Sequence, residues 1–306
     1  MSTLKVRVEY RLFRFLQAGL NVLPRGWIRA AGRRLGDIFY LADRSHRRTA
    51  HSNLAFALGE GSLTPYLKRT ARRACRFFGE TFLDMLCLAR RPPEERDRLL
   101  SMEGEAPLLN ALAKGKGALL ISAHFGQWEM APALISRLGR LNVVARPLDN
   151  PLIEAELEKI RFGLGETVIP KHQAARRILK ALRNNEMVAI LMDQNVLRRE
   201  AVFVDFFGKP AATTPAPATF HLRTGAPIFP VFCVPDGKDR YRIRIQPSVR
   251  FTATGDAPND IIRLTQACTR IIEEHIRRQP ELWFWFHDRW RSRPDPDSGD
   301  GPAESP

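Results

Sequence analysis

Two side chains that can handle a proton, His124 and Glu129, stand five positions apart in this chain of 306 residues. A carboxylate that accepts a hydrogen bond from one imidazole nitrogen fixes the tautomer and raises the basicity of the other nitrogen. Residues five apart on one helix point about 140° away from each other, so the pair can meet only if His124 lies in a loop and Gly126 permits a tight turn. The spacing then predicts a general base that activates an alcohol toward a thioester. A histidine that caps a helix is the alternative.

The chain offers no nucleophile for a covalent intermediate, and this chemistry requires none. There is no G-x-S-x-G elbow, and no cysteine adjoins the pair. The segment Gly115-Lys116-Gly117 lacks the spacing and the Lys-Ser/Thr ending of a phosphate-binding loop. Metal-ligand spacing is absent among the scattered histidines, which include His124, His172, His221 and His275. We therefore expect no metal and no cofactor.

A buried strand must position His124. Residues 118–123 form a continuous apolar run directly before it, as in a strand covered on both faces, and functional groups gather at the carboxyl ends of such strands. Further strands are predicted at 141–145, 167–169, 187–192, 227–234 and 241–245, and helices at 126–138, 151–162, 174–183 and 259–278. This alternation predicts an α/β fold with a mainly parallel sheet and right-handed crossovers.

Residues 1–100 are predicted to be helical, and their first two helices are amphipathic. Apolar side chains recur at helical spacing at Leu12, Leu16, Leu20 and Leu23, and again at Trp27, Ala31, Leu35 and Ile38, with Arg29, Arg33 and Arg34 elsewhere on the second helix. Aromatic and apolar side chains on one face with arginines on another suit the headgroup layer of a membrane. Two ordinary helices packed on the core are the alternative. The uncharged run from Phe15 to Pro24 is too short to span a bilayer, which takes about 20 apolar residues, and we expect no cleaved signal peptide.

Composition limits the classes of protein. With 44% hydrophobic residues the chain can bury a core, which excludes a disordered or fibrous protein. The formal net charge of +15 favours an anionic partner: a phosphate, nucleic acid, anionic lipid or an acidic carrier protein. No C-x-x-C pair occurs, so reduced, mostly buried thiols are expected at Cys75, Cys87, Cys233 and Cys268. The segment 294–306, rich in Pro, Asp, Gly and Ser, is predicted to be disordered.

An ordered set of motifs resembles one family. The segment His124-Phe125-Gly126-Gln127-Trp128-Glu129 is similar to the H-x-x-x-x-D/E signature of glycerolipid acyltransferases, and in its fuller form to that of the bacterial lipid A biosynthesis acyltransferases (the lauroyl/myristoyl transferase family). Agreement extends from about residue 10 to 293, through Asn53-Leu54-Ala55-Phe56, Arg161, Asp193-Gln194, Phe206-Phe207-Gly208, Thr213-Thr214-Pro215 and Trp285-Phe286-His287-Asp288-Arg289-Trp290. Many members begin with a clear transmembrane helix, which this sequence lacks.

The resemblance implies a glycerolipid-acyltransferase-like α/β fold, with a mixed, mainly parallel sheet flanked by helices and an N-terminal amphipathic helical region. It places an acyltransferase domain at 101–293, after a membrane-associating region at 1–100. It implies O-acyl transfer from acyl carrier protein, or coenzyme A, to a hydroxyl of a lipid A precursor. The protein is then expected on the cytoplasmic face of the inner membrane, attached peripherally by its amphipathic N-terminus to an anionic lipid surface.

Residue roles follow from the same resemblance. His124 becomes the general base and Glu129 orients it. Arg161 stabilises the oxyanion or holds an anionic substrate group, although by charge statistics alone it is one more basic residue on a helix. Asp193 orders Arg161 or a loop, with a turn-capping aspartate as the alternative.

Substrate binding is expected of the residues that flank these four. The set comprises Gln127, Trp128, Gln194, Phe206, Phe207 and Gly208. Core packing is an equal alternative for Phe206 and Phe207, and a buried core edge is favoured for the aromatic patch Trp283, Trp285 and Trp290.

Three other functions stay open from the sequence. An acyltransferase for another lipid acceptor, a lysophospholipid or a glycolipid, shares the chemistry. A non-catalytic membrane-surface protein needs the N-terminus but not the four polar residues. A nucleic-acid-binding protein fits the charge, but no nucleic-acid motif occurs and the arginines are dispersed, so no nucleic-acid partner is expected.

Overall fold

The computed structural model describes residues 3–20, 22–59, 61–171 and 174–294. The helices are α1 Thr3–Leu20, α2 Arg25–Ala42, α3 Arg44–Leu58, α4 Pro65–Leu88, α5 Pro93–Asp97, α6 Glu105–Leu112, α7 Pro132–Ile135, α8 Pro151–Gly163, α9 Ala174–Arg183, α10 Ala216–Thr224 and α11 Ala257–Arg278. The strands are β1 Leu100–Glu103, β2 Ala118–Ser122, β3 Leu141–Ala145, β4 Glu166–Pro170, β5 Met187–Leu191, β6 Val202–Asp205, β7 Pro210–Thr213, β8 Ile228–Asp236 and β9 Arg240–Ile245. Except for Pro294, the predicted disordered tail lies outside the described residues.

A seven-stranded sheet in the order β1-β9-β8-β2-β5-β3-β4 forms the centre of the fold. Its pairs are parallel except β8 with β9. This confirms the predicted α/β class with a mixed, mainly parallel sheet flanked by helices. Alternate residues of β2 face opposite sides, so Leu119 and Ile121 join one core cluster while Ala118 and Leu120 join the other.

One predicted element was wrong, and one pair of strands was not predicted. The helix expected at 126–138 is broken into a 3₁₀ turn, Trp128–Met130, and the short α7. Pro132 lacks the amide hydrogen that a continuous helix would use at this position, and α7 begins at this proline. The antiparallel pair β6–β7 was not predicted, because its turn at Phe207 and Gly208 uses left-handed backbone (φ 58° and 79°) that the aromatic sequence conceals.

The amphipathic N-terminus forms two helices whose apolar residues divide between core and solvent. On α1, Phe13 and Leu20 are buried, whereas Leu12 and Phe15 are exposed. The apolar residues predicted to share one face of α1, Leu12, Leu16 and Leu20, therefore do not all face the same environment. On α2 the predicted apolar face does point outward, with Trp27, Ala31, Leu35 and Ile38 all exposed.

Helices α2 and α4 approach each other closely. A Cβ added to Gly36 of α2 would overlap the backbone oxygen of Cys75 and lie 2.6 Å from Cα of Arg76. The same pair is held by Asp84 of α4, which is fully buried and accepts from Arg25 Nε (2.6 Å) and Nη2 (2.7 Å) and from Tyr241 Oη (2.7 Å). Small residues and a buried ion pair thus fix α2 against α4 and against the sheet.

Candidate active site

His124 and Asp193 meet because of strand register. Strands β2 and β5 are neighbours and parallel, with Ser122 opposite Leu191, so the residues two positions beyond each strand lie opposite each other at the carboxyl edge of the sheet. Gly126, two residues after His124, adopts φ +64° and turns the chain, as the sequence predicted. The two neighbouring buried strands therefore bring the His124 imidazole and the Asp193 carboxylate together at one edge of the sheet.

Two hydrogen bonds join these residues. The Nδ1 of His124 is 2.9 Å from Asp193 Oδ1, and the backbone amide of His124 donates to Asp193 Oδ2 over 2.9 Å. A carboxylate only accepts, so it places the imidazole proton on Nδ1 and leaves Nε2 as the basic nitrogen. His124 is partly exposed and lines a cavity, whereas the Asp193 side chain is buried.

Trp283 completes the support of Asp193. Its indole Nε1 donates to Asp193 Oδ2 over 2.7 Å, and Trp283 itself is buried. Burial alone would raise the pKa of Asp193, but the charge of His124 and the hydrogen bonds from His124 and Trp283 hold it below its usual range. Asp193 is therefore a carboxylate at neutral pH. Sequence reasoning missed this role of Trp283; the available signal was that a buried indole N–H needs an acceptor.

The predicted contact between Glu129 and His124 was wrong. Glu129 instead accepts from Arg161, with Nη2 3.0 Å from Oε1 and Nε 3.4 Å from Oε2. The reason is geometric: Asp193 already occupies the Nδ1 side of the imidazole, and the Glu129 carboxylate is held by Arg161. The carboxylate partner of the candidate base is Asp193, and the partner of Glu129 is Arg161.

Arg161 lies among three carboxyl groups. Besides Glu129, its guanidinium approaches Glu166 Oε1 (3.4 Å) and Glu154 Oε1 (4.0 Å). Burial would lower the pKa of Arg161, but these acids raise it above its usual range. Burial, followed by the charge of Glu129, raises the pKa of Glu166 to about 8 despite Arg161. At neutral pH Glu166 is therefore mostly protonated and faces Arg161 as a neutral acid.

The candidate base and this charged cluster line the same cavity, whose volume is about 730 Å³. Its walls are largely aliphatic and come from strands β2, β3 and β5 and helices α7 and α9. The polar groups on its wall include His124, Glu129, Arg161 and Glu166. A cavity of this size falls in the range of small-ligand pockets, about 300–1,000 Å³. Its apolar walls with a few converging polar groups suit a long hydrocarbon chain that carries a reactive head.

The six residues predicted to bind substrate divide into two groups. Trp128 and Gln194 line the cavity. Gln127 is buried away from it, where its Nε2 donates to Thr81 O (2.9 Å). Phe206 and Phe207 are buried against the tryptophans, with the Phe206 ring 5.6 Å from Trp283, and Gly208 completes the β6–β7 turn.

Packing, which the sequence offered as an equal alternative to substrate binding, is the observed role of Phe206 and Phe207. Neither these residues nor Gly208 line the cavity formed by the described residues. Their contribution to the site is indirect, because Phe206 supports the tryptophan that holds Asp193.

The C-terminal aromatic segment is a buried core edge, as favoured from the sequence for Trp283 and Trp285. It is fastened to the N-terminal helices by Asn53, whose Nδ2 donates to Trp285 O (2.9 Å) and His287 O (2.8 Å). His287 lines the cavity, and its Nε2 accepts from the amide of Asn195 (2.8 Å). The motifs at residues 53 and 285–290 therefore build one contact that supports the site.

The remaining expectations concern the cysteines, a metal site and a membrane-spanning helix. The four cysteines are buried and free, as predicted. In the described ranges, no group of three or more His, Cys, Asp or Glu side chains could hold a metal ion, and His172 is outside those ranges. Among the helices described, none is long and apolar enough to cross a membrane.

The mainly parallel α/β sheet thus carries a polar pair at its carboxyl edge, beside a cavity whose walls are largely apolar. The family model of the bacterial lipid A biosynthesis acyltransferases matches residues 5–292, and the chain belongs to that family. The resemblance drawn from the motifs is thereby confirmed.

The chain is similar to named acyltransferases whose names refer to different lipids. The phosphatidylinositol mannoside acyltransferase of Mycobacterium tuberculosis (strain CDC 1551 / Oshkosh) is 28% identical over 259 residues, covering 82% of this chain and 79% of the relative. The lipid A biosynthesis palmitoleoyltransferase of Escherichia coli (strain K12) is 27% identical over 205 residues, 66% of this chain and 65% of its own. The lauroyltransferase of the same organism is 27% identical over 208 residues, covering 67% and 66%.

Proposed function

We propose that this chain transfers a fatty acyl group from the thioester of acyl carrier protein to a hydroxyl of a lipid A precursor. The observation that carries the proposal is the His124–Asp193 pair beside the apolar cavity. The cavity would hold the acyl chain, and the pair would activate the hydroxyl. The family to which the chain belongs supports acyl transfer to a lipid acceptor.

The chemistry needs no covalent enzyme intermediate. His124 Nε2 takes the proton of the acceptor hydroxyl while its oxygen attacks the thioester carbonyl, and a tetrahedral oxyanion forms. Collapse of this intermediate breaks the carbon–sulfur bond, and the thiolate leaves with the proton from His124. Asp193 stabilises the imidazolium between these steps, so the base is restored when the ester and the free thiol depart.

Arg161 is the candidate hydrogen-bond donor that stabilises the oxyanion. It lines the cavity with His124, and Glu129 holds its guanidinium through two contacts. A charged donor aimed at a developing oxyanion stabilises the transition state by about 3 kcal/mol. The role proposed for Glu129 therefore changes from orienting the base to orienting Arg161.

A second acceptor, a phosphatidylinositol mannoside-type glycolipid, is favoured by the extent of one match. The mannoside acyltransferase covers 82% of this chain, against 66% for the palmitoleoyltransferase. Acyl transfer to a hydroxyl of either lipid would use the same base. The choice depends on surfaces that recognise the rest of the lipid.

The direct test is transfer by purified protein. With acyl carrier protein charged with a C10–C16 acyl group, a range implied by the family resemblance, we expect the mass of a tetra-acylated lipid A precursor to rise by one acyl chain. His124→Ala should lose this activity by about 10²–10⁴-fold, the usual contribution of a general base. A lysophospholipid and a mannosylated lipid offered in parallel identify the acceptor. Full activity of His124→Ala would contradict the mechanism, and tight duplex DNA binding without transfer would favour a nucleic-acid-binding protein.

We propose that the protein attaches peripherally to the cytoplasmic face of the inner membrane through α1 and α2. Exposed large apolar side chains are concentrated on α1 and α2, and they include Phe15, Trp27 and Ile38, which are 82%, 72% and 60% exposed. Such a concentration favours a surface that covers them. The helix α2 lies near the catalytic edge, since Phe39 packs 5.6 Å from Phe286. A membrane on this side would hold the lipid acceptor near His124.

Replacing Phe15, Trp27 and Ile38 with serine should release the protein from anionic vesicles. Burial of one such side chain contributes about 1.5 kcal/mol or more, so partitioning should fall about tenfold for each. Co-sedimentation with phosphatidylglycerol-containing vesicles measures the change.

The matched control for this experiment alters exposed apolar side chains elsewhere: Tyr66, Leu109 and Ile262 changed to serine. We expect this variant to sediment with vesicles as the unaltered protein does. Equal loss in both variants, or none in either, would contradict attachment through α1 and α2.

A further inference from the structure

The outward face of α9 carries positive charge without compensation. Four basic side chains, Arg176, Arg177, Lys180 and Arg183, are exposed on this ten-residue helix, which contains no acid. Within the part of the chain that the structure describes, none of the four forms an ion pair or a side-chain hydrogen bond. Many other arginines have carboxylate partners; Arg29, for example, binds Glu80. The charge on α9 is therefore free to act on a partner.

The opposite face of the same helix belongs to the cavity. Ala174, Ala175 and Ile178 line it, and α9 begins beyond β4 at the carboxyl edge of the sheet. The cavity reaches the surface here, since the lining residues Arg146, Lys171 and Ala175 are exposed. A macromolecule bound to the basic face would lie beside the entrance through which a substrate passes.

The composition of this face distinguishes it from the surface formed by α1 and α2. All large apolar side chains of α9 are at least partly buried, whereas α1 and α2 expose Phe15, Trp27 and Ile38. Peripheral membrane helices combine basic residues with inserted apolar ones. A face with charge alone fits a water-soluble acidic macromolecule better than a bilayer.

We propose that α9 is the docking surface for the acidic carrier domain that delivers the acyl thioester. This rests on the proposed function, in which the donor is an acyl chain tethered to a carrier protein. The tethered chain must enter the cavity while its carrier stays outside, and α9 is the basic surface at that entrance. Charge complementarity of this kind raises the rate of encounter and suits a donor that must dissociate after each turnover.

The test compares two donors with one variant. In Arg176→Glu/Arg177→Glu/Lys180→Glu we expect kcat/KM with acyl carrier protein to fall on the order of tenfold to a hundredfold, because the attraction becomes repulsion. With acyl-pantetheine, which has the thioester but no carrier domain, kcat/KM should stay unchanged. Titration with the carrier protein, followed by fluorescence anisotropy, should show weaker binding by the variant and should weaken with added salt for the unaltered chain.

The control reverses the same number of charges on another helix. Lys68, Arg69 and Arg73 are exposed on α4 and do not line the cavity. Changing them to glutamate should leave both donors and carrier binding unaffected. Equal losses in both triple variants would show that net charge, not α9, attracts the carrier, and would overturn the proposal. So would a loss with both donors in the α9 variant, or a loss of vesicle binding with normal carrier binding.

The binding titration separates this proposal from the proposed function. If the unaltered chain binds carrier protein through α9 but transfers no acyl group, docking is supported and the assigned reaction fails. If it transfers from acyl-pantetheine but does not bind the carrier, the reaction stands and the docking surface is overturned.

Discussion

We expect Asp193→Asn to lower kcat/KM for the proposed acyl transfer by about 10³-fold or more, although no atom of Asp193 is expected to touch the substrate. An asparagine retains one acceptor but presents an NH₂ group where a second acceptor stood. Asp193 now accepts from the His124 amide, His124 Nδ1 and Trp283 Nε1. With one acceptor oxygen lost, the imidazole is held in the wrong tautomer, or turned, and Nε2 no longer takes the hydroxyl proton.

The pH profile distinguishes this role from a structural one. The acid limb of kcat/KM should move to lower pH in Asp193→Asn, because the attraction to the charge of His124 that holds the pKa of Asp193 low is lost with the carboxylate. Steady-state rates between pH 5.5 and 9, with circular dichroism as the check on folding, measure both effects. A variant that is folded and retains more than a tenth of the activity would contradict the assignment.

Glu129→Gln is the matched control for the same experiment. Glu129 touches Arg161 rather than His124, so its removal should reduce kcat/KM through a less well-held guanidinium and leave the acid limb in place. If Glu129→Gln moved the acid limb and Asp193→Asn did not, the orienting carboxylate would be Glu129, as the spacing in the sequence first suggested.

We expect Gly36→Ala to destabilise the fold by about 1–3 kcal/mol, the usual scale for overpacking a closely packed interface. The new methyl group would overlap Cys75 O and crowd Cα of Arg76 on α4, and both obstacles are backbone atoms that cannot rotate away. Helix α2 must then tilt or move outward from α4. Urea unfolding followed by circular dichroism measures the change in the free energy of unfolding.

Gly26 on the same helix provides the comparison. A Cβ there meets nothing within 4 Å, so Gly26→Ala should be neutral or stabilise by about 0.5–1 kcal/mol through helix propensity. Equal free energies for the two variants would show that α2 does not pack on α4 as closely as described.

The carboxyl-edge location of the site was predictable from sequence, but the pairing within it was not. Apolar runs before His124 and Asp193 mark two buried strands, and parallel strands end at one edge. Which strands are neighbours is decided by packing across the whole sheet, and β2 turns out to lie between β5 and β8. Because β2 and β5 are neighbours, which the local sequence does not indicate, His124 contacts Asp193 rather than Glu129.

Motif resemblance located the important positions without fixing their functions. Phe206, Phe207 and Asn53 were found as parts of motifs, yet their contacts are with the C-terminal aromatic segment and not with the cavity. A motif of aromatic residues does not distinguish side chains that touch the substrate from side chains that support a buried acid. Only the three-dimensional contacts separate the two.

The bond from Trp283 to Asp193 joins residues 90 positions apart. During synthesis, the strand that presents Asp193 is made long before Trp283, whose indole holds it. Asn53 is separated from its acceptors at Trp285 and His287 by a still longer stretch of chain. Contacts of such long sequence separation form late and slowly. A ribosome-bound chain would therefore complete its N-terminal helices well before its candidate base is oriented, and the site would be assembled only after the C-terminal aromatic segment has been made.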